Sequence, residues 1–98
     1  MTVTHAFEIN KAFGEQLRAA RERAGISQSE LATRSQIGRT TIANMEIGGQ
    51  AATLYQMFAL ARALDIEPSS LLPRLSERST DDDLVERLLR QRQAILRI

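Results

Sequence analysis

Arg39, Thr40, Ala43 and Asn44 are spaced so that, on a helix, they share one side while Ile42 and Met45 take the other. Arg39 can present a two-pronged fork to guanine O6 and N7. Asn44, about one and a half turns later, can pair with adenine N6 and N7, and Thr40 can bond a base edge or touch a thymine methyl. Each good two-pronged contact contributes roughly 1–3 kcal/mol of discrimination between bases. A short helix that turns an Arg, a Thr and an Asn to solvent adds little to a core, and the chemistry it suits is reading base edges. Taken without their surroundings, the same residues are equally consistent with an ordinary solvated helix face.

Such a helix has to be held by others. Gln28 to Met45 reads as two short helices joined by a tight turn. Ser27 is an N-cap, with Glu30 three residues on to complete a capping box. Leu31 and Ala32 supply the buried side, and the chain breaks at Gln36-Ile37-Gly38 before Arg39. A first helix is expected from Lys11 to Ala24, capped by Asn10, with Phe13, Leu17, Ala20 and Ala24 on one stripe and Gly25 as its stop. Gly48-Gly49 breaks the chain again. A fourth helix follows Thr53, boxed by Gln56, with Leu54, Met57, Leu60, Ala61 and Leu64 inward. Pro68 opens a brief fifth helix carrying Leu71 and Leu72, and Pro73 ends it. The expected core is Leu17, Leu31, Ile42, Met45, Leu54, Leu60 and Leu64. Residues 1–9 read as an arm: Val3, His5, Phe7 and Ile9 alternate with other residues in a period of two, which fits a frayed terminus or a short strand.

Composition narrows the classes. Ninety-eight residues suit one domain with an appendage. There is no Cys and one His, His5, so disulfides, thiolate sites and a His-based metal cluster are excluded. No nucleophile–base pair stands out, so neither an enzyme nor a cofactor is expected. Asp81, Asp82 and Asp83 lack the spacing of a calcium loop and read as a helix start. Tyr55 and the three Phe are too scattered for stacking on single strands. No apolar run approaches the ~20 residues of a membrane span, and no basic-then-apolar leader is present, so a soluble cytoplasmic protein is expected. The net charge of +1 conceals an asymmetry: residues 11–62 carry seven basic and four acidic side chains (+3), residues 63–98 six and seven (−1). The basic part holds the candidate reading helix, as phosphate contacts require.

Three linked stretches, LRAARERAGISQSELA, RTTIANMEIG and LYQMFALARALDIEPSSLL, resemble the Xre/Cro–lambda-repressor family over about residues 12–73. The resemblance implies an all-α fold, a five-helix lambda-repressor-like DNA-binding domain, here with one further C-terminal helix. It implies that Gln28 grips a phosphate, that Arg39, Thr40, Ala43 and Asn44 are the outward positions of the recognition helix, and that Arg21 and Glu46 form a structural ion pair. Arg34, Thr41 and Gln50 are weaker phosphate candidates. Departures from the family pattern are Gln36 where the turn Gly usually stands, Gly38 for the usual Ser or Thr cap, Ile47 and Gly49 at positions often basic or polar, and Ala52 for a common Pro. A left-handed Gln36 would cost on the order of 1 kcal/mol. Two phosphate contacts are missing at Ile47 and Gly49.

Residues 74–80 read as a linker, and Ser79 or Thr80 caps a last amphipathic helix over 81–98. Leu84, Leu88, Gln91, Ile95 and Ile98 follow a 4-3-4-3 spacing with Val85, Leu89, Arg92 and Leu96 beside them. Sixteen helical residues span ~24 Å. Two stripes suit either folding back on the domain or a dimer interface made with Leu84, Val85, Leu88, Leu89, Ile95, Leu96 and Ile98; the dimer is favoured because two-fold pairing doubles the contacts of a small reader. The expected organisation is an arm (1–9), a helix-turn-helix domain (10–73), a linker (74–80) and a C-terminal helix (81–98). The expected function is a homodimeric repressor reading a near-palindromic site in double-stranded DNA. The competing expectation is an antitoxin-type module whose last helix binds a protein partner, a toxin or another regulator.

Overall fold

Four helices and a 3-10 turn carry the domain, in the order α1 (Thr2–Arg23), α2 (Gln28–Ser35), α3 (Arg39–Glu46), α4 (Leu54–Leu64) and η1 (Pro68–Leu71). The structure, a computed structural model, describes residues 2–74 and 88–92, with side chains from residue 5 onward. Among these residues there is no strand, and residues 88–92 are helical. The expected linker beyond residue 74 and the expected interface residues Leu84, Val85, Ile95, Leu96 and Ile98 lie outside the described residues.

The helix stops are local chemistry. After α1, Gly25 N–H donates to the Glu22 carbonyl at 3.0 Å and Ile26 N–H to the Arg21 carbonyl at 3.3 Å. The same 5→2 and 6→1 pair closes α3 at Gly48-Gly49 and α4 at Asp65-Ile66. Thr53 and Gln56 make a full capping box on α4. At α2 only half of the expected box forms: Glu30 N–H donates to Ser27 Oγ at 3.0 Å. The Glu30 carboxylate instead lies 3.7 Å from Arg34.

The core is one cluster fed by every element: Phe13, Leu17 and Ala20 from α1, Leu31 from α2, Ile42 and Met45 from α3, Leu60, Ala61 and Leu64 from α4 and Leu71 from η1, with Ile26 and Ile37 from the connections. Leu17, Leu31, Ile42, Met45, Leu60 and Leu71 are fully buried. Each is worth ~1.5–3 kcal/mol relative to exposure.

Three expectations are corrected. Residues 2–9 are no separate arm; they continue α1, and Asn10 lies within the helix rather than capping it. No Pro or Gly interrupts residues 2–13, so the helix has no local reason to stop at Asn10. Of the period-two set, His5, Phe7 and Ile9 stay exposed, Phe7 at 57% and Ile9 at 44%. Leu54 is 70% exposed rather than core. It occupies the first position of α4, where the stripe of Met57, Leu60, Ala61 and Leu64 begins a turn later. Ala24, past the end of α1, is exposed as well.

Candidate nucleic-acid interface

α3 has two sharply different sides. Ile42 and Met45 are completely buried and Glu46 nearly so. Arg39 and Thr40 are exposed, and Thr41, Ala43 and Asn44 are half-buried. Among the described residues, no intramolecular hydrogen bond or ion pair engages the side chains of Arg39, Thr40 or Asn44, which leaves their donors and acceptors available. Eight residues give the helix a length of ~12 Å, comparable to the ~12 Å width of the major groove.

The turn that aims α3 is built without its usual residues. Gln36 is left-handed, with φ 59° and ψ 28°. Ser35, buried beside it, accepts the Ile37 N–H on its hydroxyl at 3.3 Å. Gly38 occupies the N-cap of α3 and makes no side-chain cap bond.

The far end of α3 is anchored by charge. Arg21 Nε donates to Glu46 Oε2 at 2.7 Å and Arg21 Nη2 to Glu46 Oε1 at 3.0 Å, a two-pronged pair between α1 and α3. The third donor, Arg21 Nη1, meets the Ile26 carbonyl at 2.9 Å. The hydrogen bond to Glu46 is the main reason the guanidinium holds its proton even more firmly than a free Arg, with burial opposing it. Gln28 joins the same network, its Nε2 donating to Glu46 Oε1 at 3.1 Å. The first residue of α2 is thereby tied to the last residue of α3. Gln28 retains a second amide N–H and its carbonyl oxygen for other partners.

Two glycines make this geometry possible, and neither was singled out for it in the sequence. A Cβ on Gly14 would sit 2.1 Å from the Met45 carbonyl oxygen and 2.7 Å from that of Glu46. α1 therefore crosses the end of α3 backbone to backbone. Gly48, at φ +80°, lies against Lys11, whose Cα would be 2.9 Å from an added Cβ. The available signal was Gly14 standing alone inside a helical pattern, which points to a packing reason.

Two of the remaining phosphate candidates sit as follows. Arg34 lines an open groove of about 580 Å³ between α2 and α4, together with Tyr55, Phe58, Arg62 and Glu67. Gln50 lies in the α3–α4 loop and is half-buried.

Known proteins share this fold. A helix-turn-helix family model matches residues 17–71, more than half of the chain. The chain belongs to the Xre/lambda-repressor-like helix-turn-helix family. It is 40% identical over 65 residues to an uncharacterised helix-turn-helix-type transcriptional regulator of Sinorhizobium fredii, y4dL, a match covering 62% of this chain and 33% of that protein. The chain thus spans a third of the length of this relative. Among solved structures it is similar to the restriction-modification controller protein C.AhdI from Aeromonas hydrophila, with 38% identity and a TM-score of 0.63 over 64% of this chain and 96% of that one. The DNA-binding domain of BldD aligns with 29% identity and a TM-score of 0.62, over 67% and 96% of the two chains. The clp gene regulator ClgR from C. glutamicum shares the fold at 22% identity and a TM-score of 0.62, over 64% and 82%. This helix-turn-helix member is a DNA-binding domain of transcriptional-regulator type. Among its described residues no helix is long and apolar enough to cross a membrane.

Proposed function

We propose that the protein is a cytoplasmic, homodimeric repressor that reads a near-palindromic site in double-stranded DNA, with α3 in the major groove. One observation carries the reading: Arg39, Thr40, Ala43 and Asn44 face outward from a helix whose Ile42 and Met45 are wholly buried. Arg39 and Asn44 supply the two-pronged base contacts, with Thr40 and Ala43 filling the space between. Gln28, at the start of α2 with that helix's unpaired N–H groups, holds a phosphate and sets the register. Thr41 and Gln50 add weaker backbone contacts, and Arg34 a peripheral one. A reader with so few phosphate contacts gains from pairing, since two half-sites about one helical turn apart double the interface.

The relatives support the regulatory part of this reading, C.AhdI being a controller protein and y4dL a transcriptional regulator. The test is selection from random duplexes with the purified protein, with its mass measured in solution. A two-fold-related consensus bound by a dimer is expected. Arg39→Ala and Asn44→Ala should each lose ~1–3 kcal/mol of preference at one base position while binding to unrelated DNA persists. Unchanged preference in both variants would remove these residues from the reading role. A monomer that instead forms a tight complex with another protein would favour partner binding by the last helix.

A further inference from the structure

Ile47 follows the last residue of α3 and is 74% exposed, more than any other large aliphatic side chain among the described residues. One exposed aliphatic is ordinary on a protein surface; its place on this helix is not. The Ile47 N–H donates to the Ala43 carbonyl at 3.3 Å, and its φ of −92° and ψ of 3° keep the chain close to the helical path, so the side chain still belongs to a face of α3. At ~100° per residue it falls between Ala43 and Thr40 when viewed down the axis, at the centre of the outward side. Ile42 and Met45 hold the opposite side in the core. The chain then leaves at once, turned by Gly48 at φ +80°. A Cβ on Gly49 would meet Ile47 Cγ1 at 3.9 Å and Cδ1 at 4.0 Å, so a longer residue there would start against Ile47, and Gly49 leaves it uncovered.

The chemistry of this side chain limits what it can touch. It has no donor for a phosphate and no partner for the nitrogen and oxygen atoms of a base edge. The apolar group that the major groove presents is the C5-methyl of thymine, which aliphatic side chains contact. Resting on the reading that α3 enters the major groove, we infer that Ile47 is a fifth base-reading residue, selecting the C5-methyl of a thymine in the site read by α3. Arg39 stands at the opposite end of the helix, ~12 Å away along the axis, so the two residues read different base pairs. An Ile here exchanges a sequence-blind phosphate contact for one that distinguishes T·A from C·G. The thin phosphate grip and the exposed Ile47 are then two sides of one substitution.

The site obtained by selection from random duplexes supplies the probe. Replacing each of its thymines in turn by deoxyuridine removes the methyl group and leaves base pairing intact. The full-length wild-type protein should lose affinity by about fourfold at one such position, the worth of one buried methyl group. Ile47→Ala should bind the thymine and deoxyuridine duplexes equally at that position and keep its other preferences. The ratio is taken within one protein, so it is insensitive to the fraction folded. The side chain is also outside the core, and the bonds that close α3 are backbone, so Ile47→Ala should retain the wild-type Tm. Wild-type affinities unchanged by every deoxyuridine would overturn the inference, as would a methyl effect that Ile47→Ala retains in full. A selected site without a thymine would overturn it before any substitution is made. Failure of this assignment and failure of the wider reading are separable. Base preference lost in Arg39→Ala and Asn44→Ala, with deoxyuridine neutral throughout, removes Ile47 alone; preference unchanged in both variants removes α3 as the reader.

Discussion

Glu46 holds three helices through one carboxylate: Arg21 of α1 by two bonds, Gln28 of α2 by one, and its own place at the end of α3. Its side chain is 3% exposed and that of Arg21 13%. Removing one partner strands a buried charge, which costs ~3–5 kcal/mol, whereas replacing both by well-packed apolar residues is often neutral. Glu46→Ala should therefore lose stability on that scale in chemical denaturation, and Arg21→Met with Glu46→Leu should recover most of it. The recovered double variant should still bind DNA less well, because Gln28 loses the acceptor that orients its amide. Gln36 offers the opposite case. Its φ of 59° is strained for a side chain and open to Gly. Gln36→Gly should raise stability by about 0.5–1 kcal/mol, seen as an upward shift in Tm without change in base preference.

At the level of elements, α1 sets the position of α3 more directly than packing of side chains alone would. The contact at Gly14 is backbone on backbone, with carbonyl oxygens of Met45 and Glu46 where a Cβ would stand. Carbonyls cannot rotate away as a flexible side chain can. Gly14→Ala should push the end of α3 outward, cost several kcal/mol by overpacking (~1–3 typically, occasionally more) and weaken DNA binding beyond the loss of folded protein. Thermal denaturation and binding measured at matched folded fraction separate the two effects. α4 shows the reverse, a helix whose first turn outruns its neighbours. Leu54, Tyr55 and Phe58 stay exposed while Leu60, Ala61 and Leu64 close the core. The helical stripe was legible, but where along the helix burial begins depends on what lies across from it.

Across the whole molecule, charge is spread unevenly along the sequence. The span from 11 to 62 is net +3, and the segment beyond Arg74 alternates an acidic with a basic block. DNA affinity should fall with salt through the first. Raising salt should then weaken binding to a two-half-site duplex more steeply than to a single half-site, which titrations against the two duplexes would register. Equal slopes would mean that the two half-sites are not engaged together.

Much of this was decided locally and could be read from the chain alone. The order of the helices from Gln28 onward, their caps and stops, and the division of α3 into Ile42 and Met45 inward against Arg39, Thr40, Ala43 and Asn44 outward all follow from periodicity and from Ser, Thr, Gly and Pro at helix ends. Such features depend on residues within a few positions of one another. Tertiary structure alone decided that Leu54 faces solvent, that Gly14 is a contact rather than a weakness, and that Gln28 is bonded to Glu46. Each of these depends on which backbone lies opposite, and residues 14 and 45, or 28 and 46, meet only once three helices have packed.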